Sequence, residues 1–420
     1  MRTHPLTLTD FAGQARPGAW REVRPKREPA GREVRGDIWS DAIEAALLAG
    51  NVLHIPERDA PYYLDRPIML HSGQSLVADP EAEIRLKPDT NTCMVRNATI
   101  RAYPECPVPE NAPRDRDISV EGGIWTTLFA GGAACNGNTR GAADADDSVP
   151  GAHGVFLFHG VENLAVRHVT VRRSKPFAVH LGNVVNFTVD GLRLDAHGRD
   201  GVHVDGPARD GLIRNVSGDS HDDTVALNAW DWRNYSVSFG PISDVRIERV
   251  VANPQPQKGV ADTIRLLPGI KCFADGSTLA CSIERITLSD IENIAEFKLY
   301  DQPNLEMPPG ADRSAGIGYL RDIVFCNLRC ARPALIDIHA DADNIVLDGV
   351  AVDYPVQPDD VLVRVGPKSQ LWQRGPDPAT WRELFSPDLD CTVRGLSISG
   401  VTINGIPADD RNWCREQHIV

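Results

Sequence analysis

GVFLFHGVENLAV at residues 154–166, FAVHLGNVVNFTV at 177–189, GVHVDGPARDGLI at 201–213 and DTVALNAW at 223–230 are copies of one pattern. Phe156, Val179, Val202 and Val225 follow one another at steps of 23, and Phe158, Leu181, Val204 and Leu227 run two positions behind them. A step of 39 then reaches Ile264 and Leu266. A coil of this length is too short for a strand–helix–strand crossover but accommodates three short strands and three turns. The expected fold is therefore all-β, a right-handed parallel β-helix in which one register position stacks about 4.8 Å above the next and the Val/Leu/Ile/Phe ladders form the interior. A β-sandwich needs hairpin turns, and a propeller needs a blade period nearer ~40 residues.

Outward from these stretches the pattern weakens but persists. Units starting at Asn163, Asn186, Gly211, Asp244, Glu284, Asp322, Asn344 and Gly395 share a polar residue followed by alternating apolar ones. Upstream, Val52 to Ile55, Ser75 to Val77, Ile84 to Leu86 and Ile118 to Val120 are brief alternating runs between Pro, Gly, Asp and Asn. Residues 40–50 read as a short helix, with Ser40 or Asp41 as its cap, Glu44 supporting the cap, an Ile43, Ala46, Leu47 stripe, and Gly50 as its stop. Such a helix would cover the unpaired edge of the first coil. The expected layout is an N-terminal extension over 1–37 and one β-helix domain over 38–420, with insertions near 126–153 and 366–390 walling a groove.

Composition narrows the function classes. With 42% hydrophobic and 24% charged residues in 420, a continuous core is expected and global disorder is excluded. Lys and Arg number 44 against 58 Asp and Glu, a formal charge of −14 with no basic block, which disfavours nucleic acid and anionic membranes as partners. No 18-residue apolar run and no basic start followed by an apolar stretch is visible, so neither a membrane span nor a signal peptide is expected, and the cytoplasm is the expected location. The nine cysteines include no Cys-x-x-Cys pair; Cys272 and Cys281 are expected as thiols instead of a disulfide.

The same arithmetic applied to polar residues points to a site. Asp200 falls in register with Asp223, the 39-residue step carries Asp223 to Asp262, and Asp222 lies beside Asp223. An outward column holds His180, His203, Ala226 and Arg265, with Asp205 and Asn228 two positions further on, and is expected to face solvent. Aspartates are also ordinary turn residues, the reading adopted for Asp190, Asp210, Asp244, Asp343 and Asp348. Stacked carboxylates repel, however, and a set whose proton affinities differ can supply an acid and a base at one pH. Around them, His221, Lys271 and the rings of Trp230 and Trp232 complete the candidate carbohydrate-binding residues, the tryptophans by stacking on sugar faces. No metal or other cofactor is expected for hydrolysis.

At this point Gly198-Arg-Asp-Gly and His221-Asp-Asp-Thr-Val-Ala-Leu resemble the Asn-Thr-Asp-Gly strand and paired Asp-Asp of polygalacturonase-like glycoside hydrolases, β-helix enzymes that cleave glycosidic bonds with inversion. Tyr62-Tyr-Leu-Asp-Arg-Pro-Ile is similar to the opening coil of many β-helix polysaccharide enzymes. The resemblance implies that Asp222 is the general acid and that Asp200 and Asp223 position and deprotonate the attacking water. It departs from the family in two places. The Gly-His-Gly segment has no match, and the Arg-Ile-Lys segment is approximated only by Ile264-Arg-Leu, with Arg265 as a substrate-binding residue and no lysine beside it.

Three functions follow as expectations. The first is a glycosidase acting on an oligo- or polysaccharide, uronate-containing or not. The second is a lyase or epimerase that holds Ca²⁺ on the acidic cluster and uses Arg265, His203 or Lys271 as base. The third is a non-catalytic carbohydrate-binding β-helix. Sequence leaves the sugar, endo or exo attack, and monomer against homo-oligomer, a trimer included, open.

Overall fold

The computed structural model describes residues 6–24, 28–87, 90, 92–103, 105–127, 154–174, 177–231, 236–254, 261–300, 319–333, 335–373 and 382–416. Trp232 and nearly all of the insertion expected at 126–153 lie outside these residues. The chain winds as a right-handed parallel β-helix, as the repeat predicts. Strands of successive coils pair in parallel, for example Gly154–Arg167 on Phe177–Asp190 and the latter on Val202–Gly218.

The inward ladder is the one read from the sequence, and it extends further. Phe156, Val179, Val202, Val225, Ile264, Phe297, Ile336 and Val363 lie in consecutive register, none more than 3% exposed. Each such side chain contributes roughly 1.5–3 kcal/mol by leaving water. At the following corner the polar residue of each unit turns the chain. Asn163, Asn186, Asp210, Asp244, Arg285, Asp322 and Asn344 all have φ between 53° and 61°. Asn and Asp visit this left-handed region more readily than other side chains. Their side chains also link rungs, as Asn186 Nδ2 donates to Asn163 Oδ1 at 2.7 Å and Asn344 Nδ2 to Asp322 Oδ1 at 2.7 Å.

The N-terminal helix spans Ser40–Ala49 and buries Ala42, Ile43, Ala46 and Leu47 in the core, with Gly50 N–H closing it on the Ala46 carbonyl. Its start differs from expectation. Trp39 is the N-cap residue, and its side chain makes no cap hydrogen bond. Ser40 instead accepts the Asp65 backbone N–H, while Asp41 and Glu44 are taken by Arg66, because coil residues 63–66 pass close enough to satisfy this end from outside. Before the helix, Arg16–Arg24 and Glu28–Ile38 form an antiparallel hairpin, and Leu6–Thr7 pairs in parallel with Val52–Ile55. The second insertion shows a hairpin of Pro367–Gln373 on Arg382–Asp390. Cys272 stands opposite Thr278 and Cys281 opposite Gly269 on a third hairpin, so the two sulfurs are not cross-strand neighbours. Among the described residues no helix is long and apolar enough to cross a membrane.

Candidate active site

The stacked strands gather three of the expected acids. Asp200, Asp222 and Asp223 each bring a carboxylate oxygen within 4.8 Å of the others. Asp200 and Asp223 are buried, at 3% and 1% exposure, whereas the Asp222 side chain keeps 38% of its surface open, with Arg199 Nε 3.4 Å from Oδ2. Asp262 does not join them. A bulge between Asp223 and Val225 shifts the register, so Asp223 stands opposite Thr263 while Val225 keeps its expected partner Ile264. Asp262, at φ 47°, is turned away to accept the Ser220 N–H at 3.2 Å and Arg332 at 3.1 Å.

Thr263 thereby hydrogen-bonds Asp223, donating from Oγ1 to Oδ1. Arg265 Nε lies 3.1 Å from Asp223 Oδ2, as the outward parity predicts. Lys298 is the residue that sequence reasoning missed: its Nζ is 3.3 Å from Asp223 Oδ1 and 3.2 Å from Thr263 Oγ1. It comes from the next rung, where Lys298 pairs with Arg265 in register. The lysine absent beside Arg265 in the sequence is therefore beside it in space. The signal was present in Phe297-Lys298-Leu299, which repeats the in–out–in pattern of Ile264-Arg265-Leu266 after a step of 33 instead of 23 or 39.

These neighbours drive adjacent carboxyls apart. Burial, with repulsion from Asp200 and Asp223, raises the Asp222 pKa to about 7 against the opposing pull of Arg265 and Arg199. Burial alone would raise Asp223 as well, but Arg265, Lys298 and the Thr263 hydroxyl overcome it and hold Asp223 at about 2.

The column of His180 and His203 points away from the coil interior, as its parity requires, yet it is not open to solvent. His180, His203, Asp205 and Asn228 are each 2% exposed or less. Residues 236–239 fold back over them: Val237 N–H donates to Asp205 Oδ2 at 3.0 Å, and Tyr103 N–H binds the Val237 carbonyl at 2.7 Å. Beneath this cover His203 Nδ1 meets Asp200 Oδ2 at 2.7 Å, its Nε2 lies 3.1 Å from Asp231 Oδ2, and His180 Nε2 lies 2.9 Å from Asp205 Oδ2. Phe177 stacks flat on His203 at 4.1 Å. Burial opposes the charged imidazole, but Asp200, Asp205 and Asp231 together raise the His203 pKa well above its ordinary value.

The remaining expected residues stand elsewhere. His221 is exposed beside Asp222. Trp230 is fully buried in the apolar core, since the chain turns inward where the strand ends at Asn228, and it presents no face to a sugar. Lys271, on the hairpin formed by Gly269–Cys272 and Thr278–Cys281, is buried with Nζ 4.3 Å from the centroid of the Phe239 ring. Next to the acids, Thr263 and Lys298 line an open groove of about 600 Å³ that continues past Glu296, Pro333, Tyr354 and Asp359. None of the three acids lines that groove itself, nor a smaller hollow of about 80 Å³ beside the N-terminal helix.

Among the described residues, two sets of side chains are close enough to share a metal ion: Asp200, Asp222 and Asp223, and His180, His203 and Asp205. In the first, Arg265 and Lys298 already supply positive charge to Asp223.

No known family profile matches the chain, and neither does any curated protein sequence. Among solved structures it is similar to a family 28 exopolygalacturonase of Yersinia enterocolitica, at 11% identity and TM-score 0.49 over 99% of this chain and 78% of that one. It is also similar to the A-module of a mannuronan C-5 epimerase of Azotobacter vinelandii (12%, TM-score 0.43, 95% and 99%) and to PfbA, a surface adhesin of Streptococcus pneumoniae (14%, TM-score 0.40, 95% and 91%). The fold of this chain stands on its strand register, and its chemistry on its own side chains.

Proposed function

We propose that the chain is a glycoside hydrolase acting on an oligo- or polysaccharide. The observation that carries this reading is one cluster of three carboxylates in which Arg265 and Lys298 contact Asp223 and not its sequence neighbour Asp222, which holds Asp223 ionised while Asp222 is pushed up to about 7. Cleaving a glycosidic bond near neutrality requires a carboxyl that still holds its proton and a carboxylate that has lost it. Asp222, the most exposed of the three, protonates the departing glycosidic oxygen. Asp200 and Asp223 hold the attacking water and accept its proton. Arg265 and Lys298, 14% and 17% exposed, keep Asp223 ionised and leave a positive edge suited to a uronate carboxylate. Farther along, Glu296, Asp359 and Asp360 line the groove and suit the hydroxyls of a neutral sugar.

The same contacts weigh against a lyase or epimerase. That chemistry needs an accessible base and a cation site on the acids, whereas of the expected bases Arg265 is ion-paired to Asp223, His203 and Lys271 are buried, and Arg265 with Lys298 already neutralises Asp223. A module that only binds sugar has no use for a carboxyl kept protonated near neutrality.

The test is a glycan panel that includes polygalacturonate, screened with the wild type and Asp222→Asn. Turnover should fall by roughly 10²–10⁴ in the variant; unchanged turnover removes Asp222 from the mechanism. Calcium-dependent growth of ultraviolet absorbance from an unsaturated product would favour the lyase. Proton NMR of the first-formed anomer then separates direct attack by water from a covalent glycosyl-enzyme.

A further inference from the structure

Behind the three acids lies a second cluster that the proposed hydrolysis does not use. His180 and His203 occupy one register position on consecutive rungs, and Asp205 follows two residues after His203. His180 Nε2, His203 Nε2 and an Asp205 oxygen converge, with His180 Nε2 2.9 Å from Asp205 Oδ2 and His203 Nε2 3.4 Å from Asp205 Oδ1. Asp231 Oδ2 approaches the same His203 nitrogen at 3.1 Å. A tetrahedral ion with bonds of about 2.1 Å separates its donors by about 3.4 Å, so these spacings need only slight adjustment to enclose one.

The second shell is also in place. A metal-bound imidazole characteristically donates its other ring N–H to a carboxylate, which fixes tautomer and ring plane. His203 Nδ1 meets Asp200 Oδ2 at 2.7 Å, and Phe177 stacked on the ring fixes its orientation.

Around these donors, buried acceptors are left over. Asp205 Oδ1 and Asn228 Oδ1, on residues paired in register, accept no hydrogen bond from the described residues, though both side chains are buried. The fully buried ring of His159 has neither nitrogen hydrogen-bonded among the described residues. That ring leans across Gly182, where a Cβ would meet it at 2.7 Å, into electrostatic reach of Asp205 and His180. Buried polar atoms whose hydrogen-bonding capacity is unfilled are costly, and a cation among them would relieve that cost.

We propose that His180, His203 and Asp205 form a structural site for one divalent transition-metal ion, with Asp231 beside it. Two imidazoles with carboxylates select ions of the zinc, cobalt or manganese type over calcium or magnesium. With its three protein donors each 2% exposed or less the site is shut off from solvent, so the ion orients and does not react. Through His203 it fixes Asp200 in the carboxylate cluster, making Asp200 a shared residue of both sites.

The experiment uses the full chain, purified without affinity histidines or chelators, and reads metal directly, so its outcome is independent of whether the chain hydrolyses sugar. Elemental analysis should find roughly one ion per chain. The chelated protein should lose thermal stability, regain it with Zn²⁺, and with Co²⁺ develop visible absorption bands of a low-symmetry nitrogen–oxygen site. His180→Gln and Asp205→Asn should abolish retention, Asp200→Asn should weaken it roughly 10–100-fold by removing the orienting carboxylate, and Asp222→Asn should leave it unchanged. No bound metal, no cobalt spectrum and a melting temperature indifferent to Zn²⁺ would overturn the site and leave His203 as a buried imidazolium. Loss of binding in Asp222→Asn but not in His180→Gln would overturn it equally, placing the ion on the three acids. If His180→Gln fails to fold, the stoichiometry and cobalt spectrum of the wild type still decide.

Discussion

At the corner occupied by Asn163, Asn186, Asp210, Asp244, Arg285, Asp322 and Asn344, every residue holds φ between 53° and 61°, and several side chains bond the rung before them. On the face that carries the site, the outward column reads His180, His203, Ala226, Arg265, Lys298, Asp337 and Arg364, with no residue type kept beyond two rungs. Both columns ride on the same coils. The first repeats because each turn imposes the same backbone conformation, which few side chains tolerate well. The second varies because the strand geometry is indifferent to what projects outward, which leaves each rung free to contribute a different group to one pocket.

Substitutions sharpen this contrast. The largest effect belongs to Asp222→Asn, whose loss of turnover should come with no loss of fold. Asp223→Asn should instead unfold the site face. It leaves Arg265 and Lys298 facing each other without their buried counter-ion, a destabilisation of about 3–5 kcal/mol readable in urea titrations. A stability within 1 kcal/mol of wild type, on the scale of an ordinary surface change, would show that the two cations find other partners.

The pH dependence follows with smaller amplitude. Activity requires Asp222 protonated and Asp223 ionised, so kcat/KM should decline as pH rises through about 7, while its acid limb lies near 2. Stability moves with the same group. The folded pKa of Asp222 is raised from its ordinary 3.8 to about 7, so the folded state binds more protons between those values. The stability that Asp222 contributes is greatest below about pH 4 and is lost as pH rises towards 7. Asp222→Asn should therefore gain on wild type in melting temperature as pH climbs from 4 to 8. A constant difference across that range would mean that Asp222 titrates like any surface carboxyl.

The smallest effect lies in the corner column. Asn186→Ala removes the bond to Asn163 and places alanine at φ 53°, costing about 1–2 kcal/mol. Asn186→Gly should cost less, because glycine accepts that conformation freely. Neither should change activity, and a turnover defect in either would show that the corner transmits strain to the site face.

The interior ladder from Phe156 to Ile264 was legible in the sequence, since Val225 to Ile264 holds across the 39-residue step and the apolar period is a local property of the chain, whereas its continuation through Phe297, Ile336 and Val363 was not. Asp200, Asp222, Asp223 and Arg265 were legible for the same reason, as each sits at a countable distance from an inward residue. Asp262 was misplaced because one bulged residue shifts the register without altering the apolar pattern on either side. Lys298 was missed because the coil before it is 33 residues long, and loop length is free to vary where register is not.

Sequence alone determined the solenoid, its inward ladder and which acids share a corner, because strand alternation and rung spacing are fixed by backbone hydrogen bonding. Tertiary structure alone decided which outward residues stay outside. The return of residues 236–239 buries His180, His203 and Asp205, and the rung carrying Lys298 ionises Asp223 while Asp222 keeps its proton. Burial and charge proximity depend on what a side chain finally meets across coils, and no period along the chain encodes that.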